Sequence, residues 1–239
     1  MAEFFRSVQS EKLSAQISRQ ILETIVAGHY QPGDRLPSER DLADTFKTSR
    51  VVVREALGAL VANGILSVRH GSGTTVNSID DWNTLDAEVL MLMHGDEVFD
   101  QLTQLRSIIE PELAALAAEN IDPDALEALR VKSVLPDEDT MEQHVERDTE
   151  FHLAIAKATG NPVLLIVMSS ITELLRECRR RTFRVPGELP KARAWHKAIF
   201  EAIERRDAEA AREAMAKHLV QVHDGLQKYA EKYAETKES

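Results

Sequence analysis

Four side chains in the second half of the sequence could bind one metal ion together. Asp148 and His152 lie four residues apart, so a helix would project both from one face. His196 and His218 lie in two later segments, and three imidazoles with one carboxylate suit Zn²⁺, Ni²⁺ or a related divalent ion. The alternatives are an exposed Asp148–His152 ion pair and simple packing of His196.

A metal-dependent hydrolase is a further alternative for these four residues, because a bound ion could activate a water molecule. Zinc proteases with the HExxH motif place a general base next to a ligand histidine. In this sequence Glu150 lies two residues before His152 and therefore projects from another part of a helix. The sequence accordingly predicts that the protein is not an enzyme, and a metal with a purely structural role stays open.

Two arginines at the start of a helical stretch, TSRVVVREAL, suit nucleic acid. Arg50 and Arg54 lie four residues apart, away from a predicted buried face made of Val53, Ala56, Leu57, Leu60 and Val61. Exposed guanidinium groups fit guanine O6 and N7 or phosphate oxygens, and the helix N-terminus adds positive potential. The alternative is a pair of arginines that only contact water.

The elements around these arginines are typical of a winged helix-turn-helix. A first helix is predicted from apolar residues that recur every four positions, Leu13, Ile17, Ile21 and Ile25. Ser38 predicts the start of a second helix over 39–46, and Thr48 or Ser49 predicts the start of a third. The segment GILSVRHGSGTTV then predicts two strands joined by a glycine-rich turn, which would form the wing.

The second half of the chain has helical periodicity almost throughout. From Glu97 onward the apolar residues follow helical spacing, and neither a strand pattern nor a glycine-rich phosphate loop is found. Residues 79–96 begin with acidic residues and predict a linker with a short helix. The predicted fold is therefore mostly α: a winged helix-turn-helix of three helices and a β-hairpin over 1–78, then an all-α antiparallel bundle over 97–239.

Charge separates the two halves in the same way. The chain of 239 residues has a formal net charge of −11, but residues 1–78 contain nine Lys or Arg against eight Asp or Glu. Only that first part could approach a phosphate backbone without strong repulsion. The single cysteine, Cys178, cannot form an internal disulfide, and the sequence has neither a membrane-length apolar run nor the apolar core of a signal peptide. A cytoplasmic protein with no membrane partner is predicted.

The first half resembles a known family of DNA-binding proteins. The stretch PGDRLPSERDLADTFKTSRVVVREALGALVANGIL, followed by RHGSGTTV, is similar to the DNA-binding domain of GntR-superfamily bacterial transcription regulators. The resemblance implies that the DNA contacts come from seven residues, Arg35, Arg40, Ser49, Arg50, Arg54, His70 and Gly71. Three valines follow Arg50 where many relatives have polar residues, and Val51 and Val52 could contact thymine methyl groups.

The second half resembles the effector domain called FCD, which is attached to the FadR-type branch of that superfamily. The segments DTEFHLAIAKATGNPVL and HKAIFEAIERRDAEAAREAMAKHL carry this resemblance. In metal-binding members the matching Asp and three His form the site, which implies a divalent ion, with zinc expected first, at Asp148, His152, His196 and His218.

The resemblance also implies a small carboxylate effector, a sugar acid or other hydroxy acid. Arg106 would bind its carboxylate, the alternative being an ion pair between Arg106 and Glu110 within one helix. A basic cluster could line the same pocket or be a solvated strip, and consists of Arg176, Arg179, Arg180, Arg181 and Arg184. The function expected is a repressor that binds a palindromic operator as a homodimer and is released by this effector.

Overall fold

The structure, a computed structural model, describes residues 12–69, 73–82 and 85–234. The chain divides into two compact units, residues 1–93 and 94–239. Within the described ranges, no helix combines the length and the apolar character needed to cross a membrane.

The first unit contains helices α1 to α4 and one β-hairpin. Their bounds are α1 Leu13–Val26, α2 Glu39–Thr45, α3 Arg50–Ala62, β1 Leu66–Arg69, β2 Gly73–Val76, a 3-10 turn Ile79–Asp81 and α4 Ala87–His94. The predicted order of three helices, a hairpin and a short helix in the linker is confirmed.

Two serines start the helices of the helix-turn-helix as the sequence predicts. Ser38 Oγ accepts a hydrogen bond from the Asp41 backbone N–H and donates one to Asp41 Oδ2, at 3.3 and 2.7 Å. Ser49 Oγ accepts from the Val52 backbone N–H at 3.4 Å. Each serine satisfies a backbone donor that the first helical turn would otherwise leave free. Lys47 turns the chain between α2 and α3 with φ of 51°, a left-handed conformation uncommon outside glycine.

The hairpin strands pair antiparallel, with Leu66 opposite Val76 and Val68 opposite Thr74. An isolated bridge between Arg35 and Thr75 joins the segment before α2 to the second strand. The turn residues 70–72 lie outside the described residues, so the wing-tip predictions for His70 and Gly71 stay predictions.

One core holds the first unit together, and its most buried members include Ile17, Val53, Leu60 and Ile65. The predicted buried face of α3 is confirmed for Val53, Ala56, Leu57 and Leu60. The prediction for Val61 is wrong: this side chain is 36% exposed, because it lies at the edge of the apolar stripe.

The second unit is all-helical over the described residues. Its helices are α5 Glu97–Asn120, α6 Pro123–Lys132, α7 Met141–Ala158, α8 Pro162–Ser170, α9 Thr172–Phe183, α10 Glu188–Glu204 and α11 Ala208–Ala234. The sequence predicts one helix from Pro162 to Phe183, but the chain leaves helical geometry at Ile171, with φ of −104° and ψ of 10°. Asn161 before PVLL in the sequence predicts a helix cap, and Asn161 Oδ1 accepts from the Val163 backbone N–H at 3.0 Å at the start of α8.

Helix packing in the second unit directs several polar side chains inward. Helix α11 packs along α5 and α10, while α7 contacts α5, α6, α8 and α9. Apolar residues such as Phe151, Ile199 and Leu219 fill the space between them. The result is an apolar interior in which a cluster of charged and imidazole side chains is fully enclosed.

Candidate metal centre and nucleic-acid interface

The four predicted metal ligands meet in the interior of the second unit. Asp148 and His152 extend from α7, His196 from α10 and His218 from α11, and each is at most 2% exposed. One ligand atom from each residue can be chosen so that all four lie within 4.8 Å of one another. The exposed ion pair considered from the sequence is wrong for Asp148 and His152, because both are buried.

The protonation states of this group suit metal binding. Burial would raise the pKa of the Asp148 carboxyl, but the Arg179 guanidinium and the neighbouring histidines hold it well below its usual range. Burial lowers the pKa of His196, and burial with the Arg179 charge lowers that of His218 further. An ionised carboxylate and neutral imidazoles are the forms that coordinate a metal ion.

A second carboxylate, Glu110 on α5, orients one of the histidines. Glu110 Oε2 lies 2.5 Å from His152 Nδ1, and Glu110 also pairs with Arg106 four residues earlier on its helix. Burial would raise the pKa of the Glu110 carboxyl, but Arg106 and His152 lower it well below the ordinary value. The carboxylate therefore accepts from His152 Nδ1–H, which leaves Nε2 free to accept or to coordinate.

The intrahelical Arg106–Glu110 pair considered from the sequence is present, yet it is buried rather than exposed. Arg106 is 1% exposed, and its Nη1 is a buried nitrogen without a hydrogen-bond partner among the described residues. A buried donor without a partner is costly, and a carboxylate oxygen would satisfy it.

Arg179 on α9 extends its guanidinium into the centre of the group. Its Nε donates to Asp148 Oδ2, and its Nη2 lies 3.1 Å from His152 Nε2 and 3.4 Å from His218 Nε2. Because a guanidinium only donates, both imidazoles accept at Nε2. The sequence placed Arg179 in a basic cluster without distinguishing it, whereas Arg176 and Arg180 pair with surface glutamates.

The unmet hydrogen bonds of these residues show that the group fits a divalent ion. Asp148 Oδ1, His196 Nδ1 and Nε2 and His218 Nδ1 are buried without a hydrogen-bond partner among the described residues. His196 Nε2 lies 3.1 Å from Asp148 Oδ1, an ion-pair distance, but the angles do not make a hydrogen bond. Buried polar atoms without a partner are rare unless a ligand uses them, and here Asp148 Oδ1 and one nitrogen of the neutral His196 ring are unpaired acceptors. This His/Asp group could hold a metal ion.

Arg179 and a metal ion would compete for the same acceptor atoms. Replacing Arg179 with methionine removes the buried partner of Asp148, a change that costs about 3–5 kcal/mol in folding free energy. We expect chelator-treated Arg179→Met to melt roughly 6 °C or more below the native protein. Added zinc should then raise its melting temperature by more than it raises that of the native protein, because no guanidinium has to be displaced.

Differential scanning fluorimetry with and without EDTA or zinc measures both effects. Arg176→Met is the matched control, since Arg176 lies on the same helix and its ion pairs with described residues are to the surface glutamates Glu146 and Glu173. Equal zinc-induced shifts in the native protein and Arg179→Met would show that the guanidinium does not compete with the ion.

In the first unit, Arg50 and Arg54 are exposed at the N-terminal end of α3, as the sequence predicts. Their side chains are 62% and 66% exposed, and both point toward one acidic residue, Glu39 of α2. Glu39 accepts two hydrogen bonds from Arg54, at 3.0 and 2.6 Å. Sequence reasoning missed Glu39, because its place next to Arg54 arises from how α2 packs against α3.

The other predicted DNA contacts of the described residues lie on the surface of the same unit. Arg35, Arg40 and Ser49 are exposed, and Ser49 also caps α3. Val51 is 73% exposed and could reach a thymine methyl, whereas Val52 is half-buried and packs against the core. The suggested base contact from Val52 therefore does not agree with its packing.

The sequence is similar to families and individual proteins of known function. The family profile described as bacterial regulatory proteins, gntR family, matches residues 13–76, and the FCD domain profile matches residues 101–221. The galactonate operon transcriptional repressor of Escherichia coli is 30% identical over 80% of this chain and 86% of its own length. The HTH-type transcriptional regulator LutR of Bacillus subtilis is 33% identical over 85% of this chain and 96% of its own.

Solved structures share the fold. Lar, which controls the expression of the Listeria monocytogenes agr system, aligns with a TM-score of 0.62 at 21% identity over 92% of this chain and 99% of that chain. A GntR-family regulator from Pseudomonas syringae aligns with a TM-score of 0.52 at 22% identity, over 94% and 90%. The matched families and relatives are transcription regulators rather than enzymes.

Proposed function

This chain belongs to the gntR family of bacterial regulatory proteins and carries an FCD domain, and we propose that it is a repressor released by a small carboxylate. The proposal assigns residues 1–78 to operator binding, 79–96 to the connection, and 97–239 to effector binding and dimerisation. The buried group of Asp148, His152, His196 and His218 is the observation that carries the ligand-controlled part.

The charges around this group support an anionic effector. Two buried cations, Arg106 and Arg179, balance two buried carboxylates, Glu110 and Asp148. A divalent ion held by the four ligands would supply excess positive charge and coordinate ligand oxygens in a low-dielectric interior. A carboxylate with a neighbouring hydroxyl would suit that charge, and Arg106 Nη1 is a donor available for its oxygen.

The chemical class of the effector rests on chelation and on one relative. Sugar acids and other hydroxy acids present a carboxylate and a hydroxyl on adjacent carbons, an arrangement that binds divalent ions through two oxygens. The galactonate operon repressor, to which this chain is similar, has a sugar acid in its name. Zinc is the first candidate for the ion, with nickel next, because imidazole suits both.

Release from DNA would follow from linkage. One recognition helix reads a half-site, so two copies on a palindromic operator are needed for specific binding. An effector that binds better to the arrangement unable to bind DNA lowers operator affinity. At saturation it can lower that affinity by at most the ratio of its own affinities for the two arrangements. A metal with a purely structural role is the alternative, and it predicts no dependence of effector binding on the ion.

A thermal-shift screen separates these two cases. Full-length protein would be melted with galactonate, gluconate and both lactate enantiomers, each with bound zinc and after EDTA treatment. We expect a cognate acid at about 100 times its Kd to raise the melting temperature by roughly 5–10 °C, and only in the metal-loaded protein. Acetate, which lacks the hydroxyl, is the matched control ligand. Equal shifts after EDTA would remove the metal from effector recognition.

A further inference from the structure

We propose that Glu39 is a positioning residue that holds Arg54 in one orientation for reading a base in the operator. The inference rests on the proposed function, since it deepens the role of the α3 arginines in operator binding. Arg54 lies on α3, the proposed recognition helix, and its carboxylate partner comes from a different helix. Glu39 is the first residue of α2, and it faces Arg54 across the helix-turn-helix.

The contact between the two side chains is bidentate. Arg54 Nε donates to Glu39 Oε1 at 3.0 Å, and Arg54 Nη2 donates to Glu39 Oε2 at 2.6 Å. These bonds use one side of the planar guanidinium, which has five N–H donors. The terminal edge, formed by Nη1 and the second N–H of Nη2, remains available. That edge is the fork that fits guanine O6 and N7.

Restricting the rotamers of Arg54 in the free protein lowers the entropy cost of binding a base with this side chain. A free arginine on the surface samples many rotamers, and binding a base would immobilise them. The Glu39 contact fixes the plane of the guanidinium before DNA arrives. Arg50 Nη2 lies 3.8 Å from the same carboxylate, so one acidic group influences both cations. The Arg54 hydrogen bond holds the pKa of the Glu39 carboxyl below its usual range, and the group is therefore ionised near neutral pH.

An ordinary surface ion pair is the competing explanation, and such pairs commonly contribute little. It differs in what it predicts for DNA. A carboxylate on the surface that faces phosphates weakens sequence-independent binding. If Glu39 positions Arg54, its loss should therefore reduce selectivity for sequence while binding to unrelated DNA stays the same or tightens. A contact that only supports the fold would weaken both kinds of binding together.

The experiment compares three variants with the native full-length protein. Glu39→Gln removes the charge and keeps the size, and Arg54→Ala removes the base-reading group. Glu55→Gln is the matched control: Glu55 is an exposed glutamate next to Arg54 in sequence, but it lines a groove with α1 residues such as Ser18. Each protein would be used to select sites from a pool of randomised 30-base-pair duplexes. Anisotropy titrations would then use the duplex selected by the native protein and a scrambled duplex at the same salt.

The native protein and Glu55→Gln are expected to enrich the same motif. Glu39→Gln should lose the preference at the guanine position that Arg54→Ala also loses, and its Kd for the selected duplex should rise about 5- to 10-fold. Its Kd for the scrambled duplex should not rise. Replacing that guanine with 7-deazaguanine, which lacks N7, should weaken the native protein and leave Glu39→Gln little changed. Circular dichroism melts would verify that each variant is folded.

Two results would overturn the inference about Glu39 alone, and a third would also overturn the proposed DNA-reading function. A native motif and native Kd for Glu39→Gln would show that Arg54 does not need it. Equal weakening on selected and scrambled duplexes would assign Glu39 a structural role. Failure of the native protein to enrich any motif would overturn the proposed DNA-reading function, and the Glu39 inference with it.

Discussion

His196→Gln is expected to weaken zinc binding by about 100-fold or more. Structural zinc sites bind with about 10–16 kcal/mol, so each of four ligands accounts for roughly 3 kcal/mol, or about two orders of magnitude in Kd. His196 is a suitable ligand to remove, because it is fully buried and Arg179 does not hydrogen-bond to it. Glutamine is neutral like the imidazole it replaces, which leaves the charge balance of the interior unchanged.

The measurement is competition for zinc against a chromogenic chelator, with the zinc content of the purified protein determined by mass spectrometry. His144→Gln is the matched control, since His144 is also a buried histidine of the second unit but lies outside the four-residue group. The control should bind zinc as the native protein does. Equal affinities for His196→Gln and His144→Gln would show that the ion, if bound, lies elsewhere.

The sequence predicted which four residues meet in this buried group better than it predicted their surroundings. Asp148 and His152 share a helix face by their spacing, and the resemblance to FCD domains added the later histidines. The contact of Glu110 with His152 joins residues that are 42 apart, and Arg179 reaches His218 across 39 residues. Such contacts depend on how four helices pack, so one basic residue among several in α9 could not be singled out beforehand.

Local sequence chemistry predicted the helix caps correctly, but it missed one helix break and the exposure of one side chain. The caps at Ser38, Ser49 and Asn161 depend on residues at most three positions away, and all three are present. The break at Ile171 was missed because neither proline nor glycine marks it, and its neighbours Ser170 and Thr172 do not by themselves end a helix. The exposure of Val61 was missed because helical spacing defines the centre of a buried face more sharply than its edge.

The second large effect is expected from replacing Arg50 and Arg54 of α3. Arg50→Ala together with Arg54→Ala is expected to raise the Kd for the selected operator duplex by about 30-fold to 20,000-fold. If both arginines contact bases, as we propose, each contributes about 1–3 kcal/mol. Their side chains lie on the exposed side of α3, and in helix-turn-helix proteins the corresponding helix enters the major groove. Anisotropy titration of full-length protein against the selected duplex measures the change.

Loss of two positive charges alone could weaken binding, so the control must remove the same charge elsewhere. Lys197→Ala with Arg205→Ala does so on the surface of the second unit, at the exposed side of α10 and the residue after it. This control should change the Kd little, because both residues belong to the second unit and operator binding is proposed for the first.

Base contacts and phosphate contacts by the two arginines predict different salt dependence. If they read bases, the loss should be much larger for the selected duplex than for a scrambled one, and the slope of log K against log salt should change little. If they bind phosphates, both duplexes should lose affinity together and the slope should decrease in magnitude by about 0.9 per arginine. The first pattern is expected here, because Glu39 holds Arg54 with its terminal edge available for a base. The second pattern would leave the sequence to be read by other residues of this unit, among them Arg40 and the exposed Val51.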